Sequence, residues 1–389
     1  MIRRDAYDAV ERLAGQFPVV AITGPRQSGK TTLAKMVFPE KKYVSFDDRN
    51  MRELAISNPV DFLKAFPDGA IMDEAQKVPD LFDAIKMLVD KEEYSPGKYI
   101  LTGSSLFRLK ENISDSLAGR IGLVKLLPLS INELKNDGTL SADPYDYVFN
   151  GFYPPLYDRD KHFIRDDWFE NYIDTYMDLD VKDQINPSNV SAFRKFIQIC
   201  ATRSGQMVNY DGLSRSIGVS AVTIKSWLSI LEASYIIHFL EPDSNNLGKS
   251  VVKTPKLYFI DPGLMCYLLR IDSKEELMLD SHKGAAVETM AVSELLKAQY
   301  NSGKKSSLTF FRDKNGFEVD AIADWKHTFA IEVKSNSGTE KKLSSNVRKY
   351  IELRSDGAEG IVCYLGDLTC NVNGIRYISW KDWGKIYRA

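Results

Sequence analysis

Two sets of residues in this chain have types and spacings that can do chemistry. The first begins at Gly24-Pro25-Arg26-Gln27-Ser28-Gly29-Lys30-Thr31, spaced G-x-x-x-x-G-K-[ST] and followed by Thr32. Gly24 and Gly29 permit a tight backbone that aims successive N–H groups at a triphosphate, and a following helix adds the positive end of its dipole. Lys30 is then the residue to bridge the β- and γ-phosphates, and the Thr31 hydroxyl a ligand for Mg2+. Downstream, Asp73-Glu74 ends an apolar run. Asp73 is expected as the second Mg2+ anchor and Glu74 as the residue that orients and polarises the attacking water. Thr102 and Ser104 could sense the γ-phosphate or hold the water, or they could serve simple turn chemistry. Arg120 has three: a transition-state cation in cis, one supplied across a subunit boundary, or a surface arginine. ATP and Mg2+ are the expected cofactors.

The second set lies some three hundred residues on. Asp320 precedes Glu332-x-Lys334 with eleven residues between the two carboxylates, and Glu288 stands upstream on a helical stretch. Residues two apart on a strand share a face, so Glu332 and Lys334 point the same way, and Glu318 shares the face of Asp320. If Asp320 lies on the neighbouring strand, it and Glu332 can meet across a divalent metal, with Lys334 placed to position or deprotonate a water. Glu288 would complete the acidic group. Glu-x-Lys on any strand is a weak signal, because edge strands alternate charge for solubility. Here the strand, Phe329-Ala-Ile-Glu332-Val-Lys334, is otherwise apolar.

The elements that must position these residues follow from hydrophobic patterning. Val19–Ile22, Tyr43–Phe46, Gly69–Asp73, Lys98–Ser105 and Ile121–Leu126 read as short strands, with helical periodicity between them, as at Leu81-Phe82, Ile85 and Leu88-Val89. That alternation predicts a parallel sheet covered by helices, with ligands at the carboxyl ends of its strands. A polar linker from Asn136 is followed by helical segments. Leu213–Ile217, a turn at Gly218, a Ser220 cap and a second apolar-faced segment (Val222, Ile224, Trp227, Leu228) have helix-turn-helix spacing. Thr223, Lys225 and Ser226 are expected on the open face of the second helix, with Arg203 and Arg215 nearby, and Ile236–Leu240 as a wing strand. So few cations are thin for duplex binding, and a lid or protein-docking role stands beside DNA reading. From Glu288 onward the order reads α-β-β-β-α-β.

At 389 residues, the chain suggests two or three domains. Net charge is −2, so any nucleic-acid surface must be a local patch. The N-terminus has no apolar signal core and no apolar run reaches membrane-spanning length, so a cytoplasmic protein with no membrane partner is expected. Cys200, Cys266, Cys363 and Cys370 lack zinc-site spacing and read as small core residues.

GPRQSGKTTL, IMDEAQKVP, LTGSSLFRL, SLAGR and LLPLSINEL, followed by Gly151-Phe-Tyr-Pro154 and Trp168 to Tyr176, resemble in order the AAA-like prokaryotic ATPases that carry a C-terminal domain of long-unassigned function. Such proteins often carry Arg-Asp after the tyrosine helix, where this chain has Leu179-Asp180. A trans-acting role would then pass to Arg120 or another residue. The Asp320–Lys334 spacing resembles the PD-(D/E)XK nuclease-like signature. The expected fold is α/β: a P-loop parallel-sheet ATPase domain (1–135), a helical and winged-helix domain (136–250) and a restriction-endonuclease-like domain (251–389). The expected function is ATP hydrolysis controlling a DNA-directed, metal-dependent nuclease module. The alternative is a signalling or scaffold ATPase whose nuclease-like domain is inactive and docks protein partners. A small-molecule kinase is disfavoured, because Glu74 beside Asp73 suits water activation. Homo-oligomerisation stays open.

Overall fold

A computed structural model describes residues 1–91, 95–104, 117–182, 184–243, 252–354 and 357–388. Ser105, the remainder of the 101–109 motif, Ser116 and the expected domain boundary at 250/251 lie outside the described residues. The chain forms two compact units. One comprises residues 1–129 with 233–235 and 299–305, and the other comprises 130–232, 236–298 and 306–389.

The first unit is built on five parallel strands: β1 (Val19–Thr23), β2 (Lys42–Ser45), β3 (Ala70–Asp73), β4 (Tyr99–Gly103) and β5 (Ile121–Lys125). Their order is β2-β3-β4-β1-β5. The central strands β1, β3 and β4 are buried throughout, as strands covered on both faces must be. The two-residue side-chain period divides them between two cores. Val19, Ala21, Met72 and Leu101 pack with Leu81, Phe82 and Ile85 of the helix Asp80–Val89. Val20, Ile22, Ile71 and Ile100 pack with Val10 of Tyr7–Ala14 and Leu33 of Lys30–Val37.

The second unit contains a mixed nine-stranded sheet, ordered β13-β14-β12-β11-β10-β9-β7-β8-β6. These strands are β6 (Gln206–Met207), β7 (Ile237–Pro242), β8 (Lys256–Phe259), β9 (Leu308–Arg312), β10 (Glu318–Asp324), β11 (Thr328–Lys334), β12 (Glu359–Tyr364), β13 (Cys370–Val372) and β14 (Ile375–Ser379). The helix Lys283–Asn301 precedes three antiparallel neighbours, β9, β10 and β11, and the helix Ser345–Leu353 makes the crossover to β12, parallel to β11. This is the α-β-β-β-α-β order legible in the sequence.

Tyr210–Ile217 and Ala221–Ala233 form the helix-turn-helix, with Gly218 in the left-handed region (φ 85°) and the Ser220 hydroxyl accepting from Thr223 N at 3.0 Å. Val222 departs from the expected apolar face. It is 77% exposed, whereas Ile224, Trp227, Leu228 and Leu231 are buried. The strand expected as a wing, β7, pairs with β8 on one side and β9 on the other, and so is built into the nine-stranded sheet. The Gly151-Phe-Tyr-Pro motif is a packing device. Phe152 N donates to the buried Asp261 carboxylate at 2.7 Å, and a Cβ at Gly151 would lie 2.2 Å from that carboxylate. Cys200, Cys266 and Cys363 are buried free thiols, and Cys370 is half-buried.

Trp227 meets Phe193 and Phe196 edge-on, with ring centroids 5.1 and 5.3 Å away. Trp227→Ala should cost about 3–5 kcal/mol in urea unfolding. Val222→Ala on the same helix should cost less than about 0.5 kcal/mol, and equal losses for the two would contradict this packing.

Candidate functional sites

Because β4 lies between β1 and β3, the carboxyl ends of all three strands share one edge. Ile22 and Thr102 are register partners, as are Met72 and Leu101, so Asp73 ends its strand level with Thr102. Gly24 leaves β1 with φ 156°, Gln27 and Gly29 have positive φ (59° and 90°), and the helix Lys30–Val37 starts directly after Gly29. A Cβ at Gly24 would stand 2.0 Å from the Leu126 carbonyl oxygen, so no side chain fits there. Lys30 Nζ donates back into the loop, to the carbonyl oxygens of Gly24 (3.1 Å) and Pro25 (2.7 Å).

The Asp73 carboxylate is the hub of the site. Its Oδ1 accepts from the Thr31 hydroxyl at 2.9 Å and from the Thr102 hydroxyl, and its Oδ2 accepts from the Tyr43 hydroxyl at 2.8 Å. Burial and the hydrogen bond to Asp73 push the Tyr43 phenol up to about 12, so it remains a donor across the neutral range. Lys35 Nζ stands 3.4 Å from the centroid of the Tyr43 ring. Glu74 follows with a left-handed backbone (φ 56°), and its Oε2 accepts from Gln76 Nε2 and from Ser104 Oγ at 3.3 Å. Thr31, Asp73, Glu74, Thr102 and Ser104 are therefore brought together beside the loop. A non-glycine residue held in the left-handed region is strained, and such strain gathers at working sites.

Arg120 is not brought there. It directly precedes Ile121, the register partner of Val19, and so stands at the amino end of the sheet, a strand's length from the loop. Its guanidinium is paired two-fold with Asp90, which lowers the Asp90 pKa and raises its own. Of its three readings, a cis contribution at this loop does not agree with that position. Leu179, in the position where the resemblance led one to look for arginine, is exposed on a short π-helical turn.

The second set meets around a lysine that sequence reasoning passed over. Lys256, on β8, is 2% exposed, and its Nζ contacts Glu318 Oε1 (2.5 Å), Glu288 Oε1 (3.3 Å) and the Tyr258 hydroxyl (3.3 Å). Burial opposes its charge, but Glu288, Asp320 and Glu318 outweigh that and hold its pKa above the ordinary value. Tyr258 also donates to Glu288 Oε1 at 2.5 Å, and Arg312 pairs with Glu318 Oε2. Asp320 Oδ2 accepts from Val333 N at 2.8 Å, and Lys334 Nζ lies 2.6 Å from Glu332 Oε1. Burial raises the pKa of both Asp320 and Glu332, and in Asp320 the charges of Glu288 and Glu332 add to the rise. Among the described residues, no three His, Cys, Asp or Glu side chains form a metal-holding group. Asp320 and Glu332, the expected Mg2+ pair, lie on the adjacent strands β10 and β11.

Two more residues escaped the sequence reading. Arg4, 4% exposed, donates to the carbonyl oxygens of Ser28 (2.5 Å) and Leu127 (2.7 Å), bracing the phosphate loop against the exit of β5. Tyr43 stands in the sequence only as part of an apolar strand pattern. Neither stands in a motif, and a lone arginine or tyrosine carries no local signal that separates an exposed role from a buried one.

Tyr43→Phe removes one of three donors to Asp73 without altering the ring packing. It should raise the Mg2+ concentration needed for half-maximal ATP turnover several-fold while leaving thermal unfolding within about 2 °C. Gly24→Ala should abolish nucleotide binding in an equilibrium titration, because the added carbon has no room.

Residues 16–135 match the family model described as AAA domain. Residues 141–275 and 283–383 match two models described as domains of unknown function (DUF8612 and DUF4143). An uncharacterized protein of Mycobacterium tuberculosis is 29% identical over 337 residues, covering 86% of this chain and 74% of that one. An uncharacterized protein of Methanocaldococcus jannaschii is 21% identical over 399 residues, covering 94% and 85%. Among solved structures, a Walker-type ATPase of Pyrococcus abyssi aligns with a TM-score of 0.45 at 14% identity, covering 68% of this chain and 95% of that one. The chain thus carries an AAA-like P-loop ATPase domain followed by domains to which no function is assigned.

Proposed function

We propose that this protein binds and hydrolyses ATP at the Gly24–Thr31 loop, and that its nucleotide state controls a DNA-directed module in the C-terminal half. The observation that carries the first part is the convergence of Thr31, Thr102 and Tyr43 on Asp73 beside Lys30. Lys30 supplies a positive charge to the β- and γ-phosphates, and the N–H groups of residues 24–31 and the start of the following helix supply donors. Thr31 and Asp73 have the oxygen donors and the placement to hold Mg2+, which when bound neutralises phosphate charge. Glu74, held by Gln76 and Ser104, orients the attacking water and accepts its proton, and Thr102 ties the neighbouring strand to the same carboxylate.

The DNA-directed part is supported by Lys225 and Ser226, exposed on the second helix of the helix-turn-helix, with Thr223 half-buried beside them. Metal-dependent cleavage by Glu288, Asp320, Glu332 and Lys334 is the finer form of this reading and rests on sequence spacing. The Lys256 ammonium among those carboxylates favours the second reading, a nuclease-like domain that docks DNA or protein partners without cutting.

Glu74→Gln should retain ATP binding while turnover falls about 10²–10⁴-fold, and wild-type turnover in that variant would remove Glu74 from the role of base. Lys30→Ala should lose about 3–4 kcal/mol of transition-state stabilisation, measured as kcat/KM. For DNA, Lys225→Ala should weaken duplex binding at all sequences and reduce the slope of log K against log salt by about 1. Absence of any shift with duplex or branched DNA, with ATPase intact, would leave protein docking as the surviving reading. Plasmid nicking under Mn2+ that disappears in Lys334→Ala would establish cleavage.

A further inference from the structure

The carboxylates Glu288, Glu318, Asp320 and Glu332 belong to a helix and two adjacent strands, and their spacing resembles that of a divalent-metal site. The structure gives them a different cation. We infer that Lys256 is the resident cation of this cluster, and that the cluster is closed to divalent metal while the Lys256 ammonium is in place. This goes beyond the ATPase reading and depends on none of its residues.

Three features carry it. First, Lys256 reaches the cluster from β8, outside the α-β-β-β-α-β segment, and its three ammonium protons meet three acceptors: Glu318 Oε1, Glu288 Oε1 and the Tyr258 hydroxyl. An ammonium so satisfied in a 2%-exposed setting is held firmly, because leaving would take a charge partner from two partly buried carboxylates. Second, the remaining oxygens are largely committed. Arg312 takes Glu318 Oε2, Tyr258 shares Glu288 Oε1, Val333 N takes Asp320 Oδ2 and Lys334 takes Glu332 Oε1. Mg2+ demands near-octahedral oxygen ligands at about 2.0–2.1 Å, and Glu318, with both oxygens taken, cannot turn to it without giving up a partner. Third, the charges nearly balance without a metal, with four carboxylates set against Lys256, Arg312 and Lys334. Glu332 Oε2 is buried and without a partner among the described residues. It is the oxygen from which a metal site would grow once Lys256 is removed.

The test is a Mn2+ titration followed by electron paramagnetic resonance on the full chain without nucleotide. Every arm carries Asp73→Asn, so that the phosphate-loop site does not contribute. With Lys256 present, no Mn2+ should bind at micromolar concentrations. Lys256→Met, close in volume and uncharged, should bind one Mn2+ at least about tenfold more tightly, and adding Glu332→Gln should abolish that gain. Binding of one Mn2+ by the Lys256-containing protein, lost on Glu332→Gln, overturns the inference. So does a folded Lys256→Met that binds none. Circular dichroism reports whether Lys256→Met folds; should it not, Lys256→Gln takes its place, and the titration of the Lys256-containing protein still decides whether the site is closed. Because Asp73 is altered throughout, a failure here leaves the ATPase reading untouched, and loss of ATPase in Glu74→Gln leaves this result untouched.

Discussion

The parallel register of the first sheet is the constraint from which the nucleotide site follows. A strand's carboxyl end can serve a site only if its neighbours end at the same level, and inserting β4 between β1 and β3 achieves this. Gly24, Asp73 and Thr102, separated by up to 78 residues of chain, then become neighbours. Two cores on opposite faces, alternating residue by residue along β1, β3 and β4, fix that register. A slip by one residue would turn every buried side chain to the wrong face. The loop's unusual backbone is affordable because the strands on either side of it are so firmly specified.

The two units handle buried charge differently. In the first, the Asp73 carboxylate is met by three neutral hydroxyl donors, which bring no compensating charge. In the second, acids are met by bases: Lys256 with Glu288 and Glu318, and Lys297 with Glu294, a pair in which both side chains are 1% exposed. Glu294 also accepts Ile131 N at 2.9 Å, next to the capping box formed by Ser130 and Glu133. Ion pairs of this kind stabilise little in net terms but penalise any rearrangement that leaves one partner alone. They suit a scaffold whose parts must remain in place.

Much of the architecture was legible in the sequence, for a physical reason. Short apolar runs alternating with 3.6-period segments have few folded solutions, and the G-x-x-x-x-G-K-T spacing specifies a backbone as much as a set of side chains. The strands that carry Asp73 and Thr102, the Gly218 turn and the order from Lys283 to Tyr364 are of this kind. What was not legible depends on contacts between distant segments. Lys256 gives no sign, within Thr-Pro-Lys-Leu-Tyr, that it will be buried among acids contributed by residues 288 and 318. Val222 has the apolar character of a core residue and is exposed, because helical phase sets it off the face that carries Ile224, Trp227, Leu228 and Leu231. Arg120 looked suited to phosphate chemistry until the strand direction placed it at the far end of the sheet.

The first unit is not a continuous length of chain. Its sheet is complete by residue 125, yet the Tyr235 hydroxyl bonds to Thr23 at the end of β1 (2.7 Å), Arg12 donates to the Ser302 carbonyl oxygen (3.0 Å), and Lys125 lies 4.7 Å from the Tyr300 ring centroid. On the ribosome, this gives the protein a built-in delay. The nucleotide-binding half emerges first but gains its last native contacts only once about three hundred residues have been made. Until residue 235 has been made, the strand leading into the phosphate loop lacks its tyrosine tether. Premature termination anywhere before residue 299 therefore leaves the first unit unfinished.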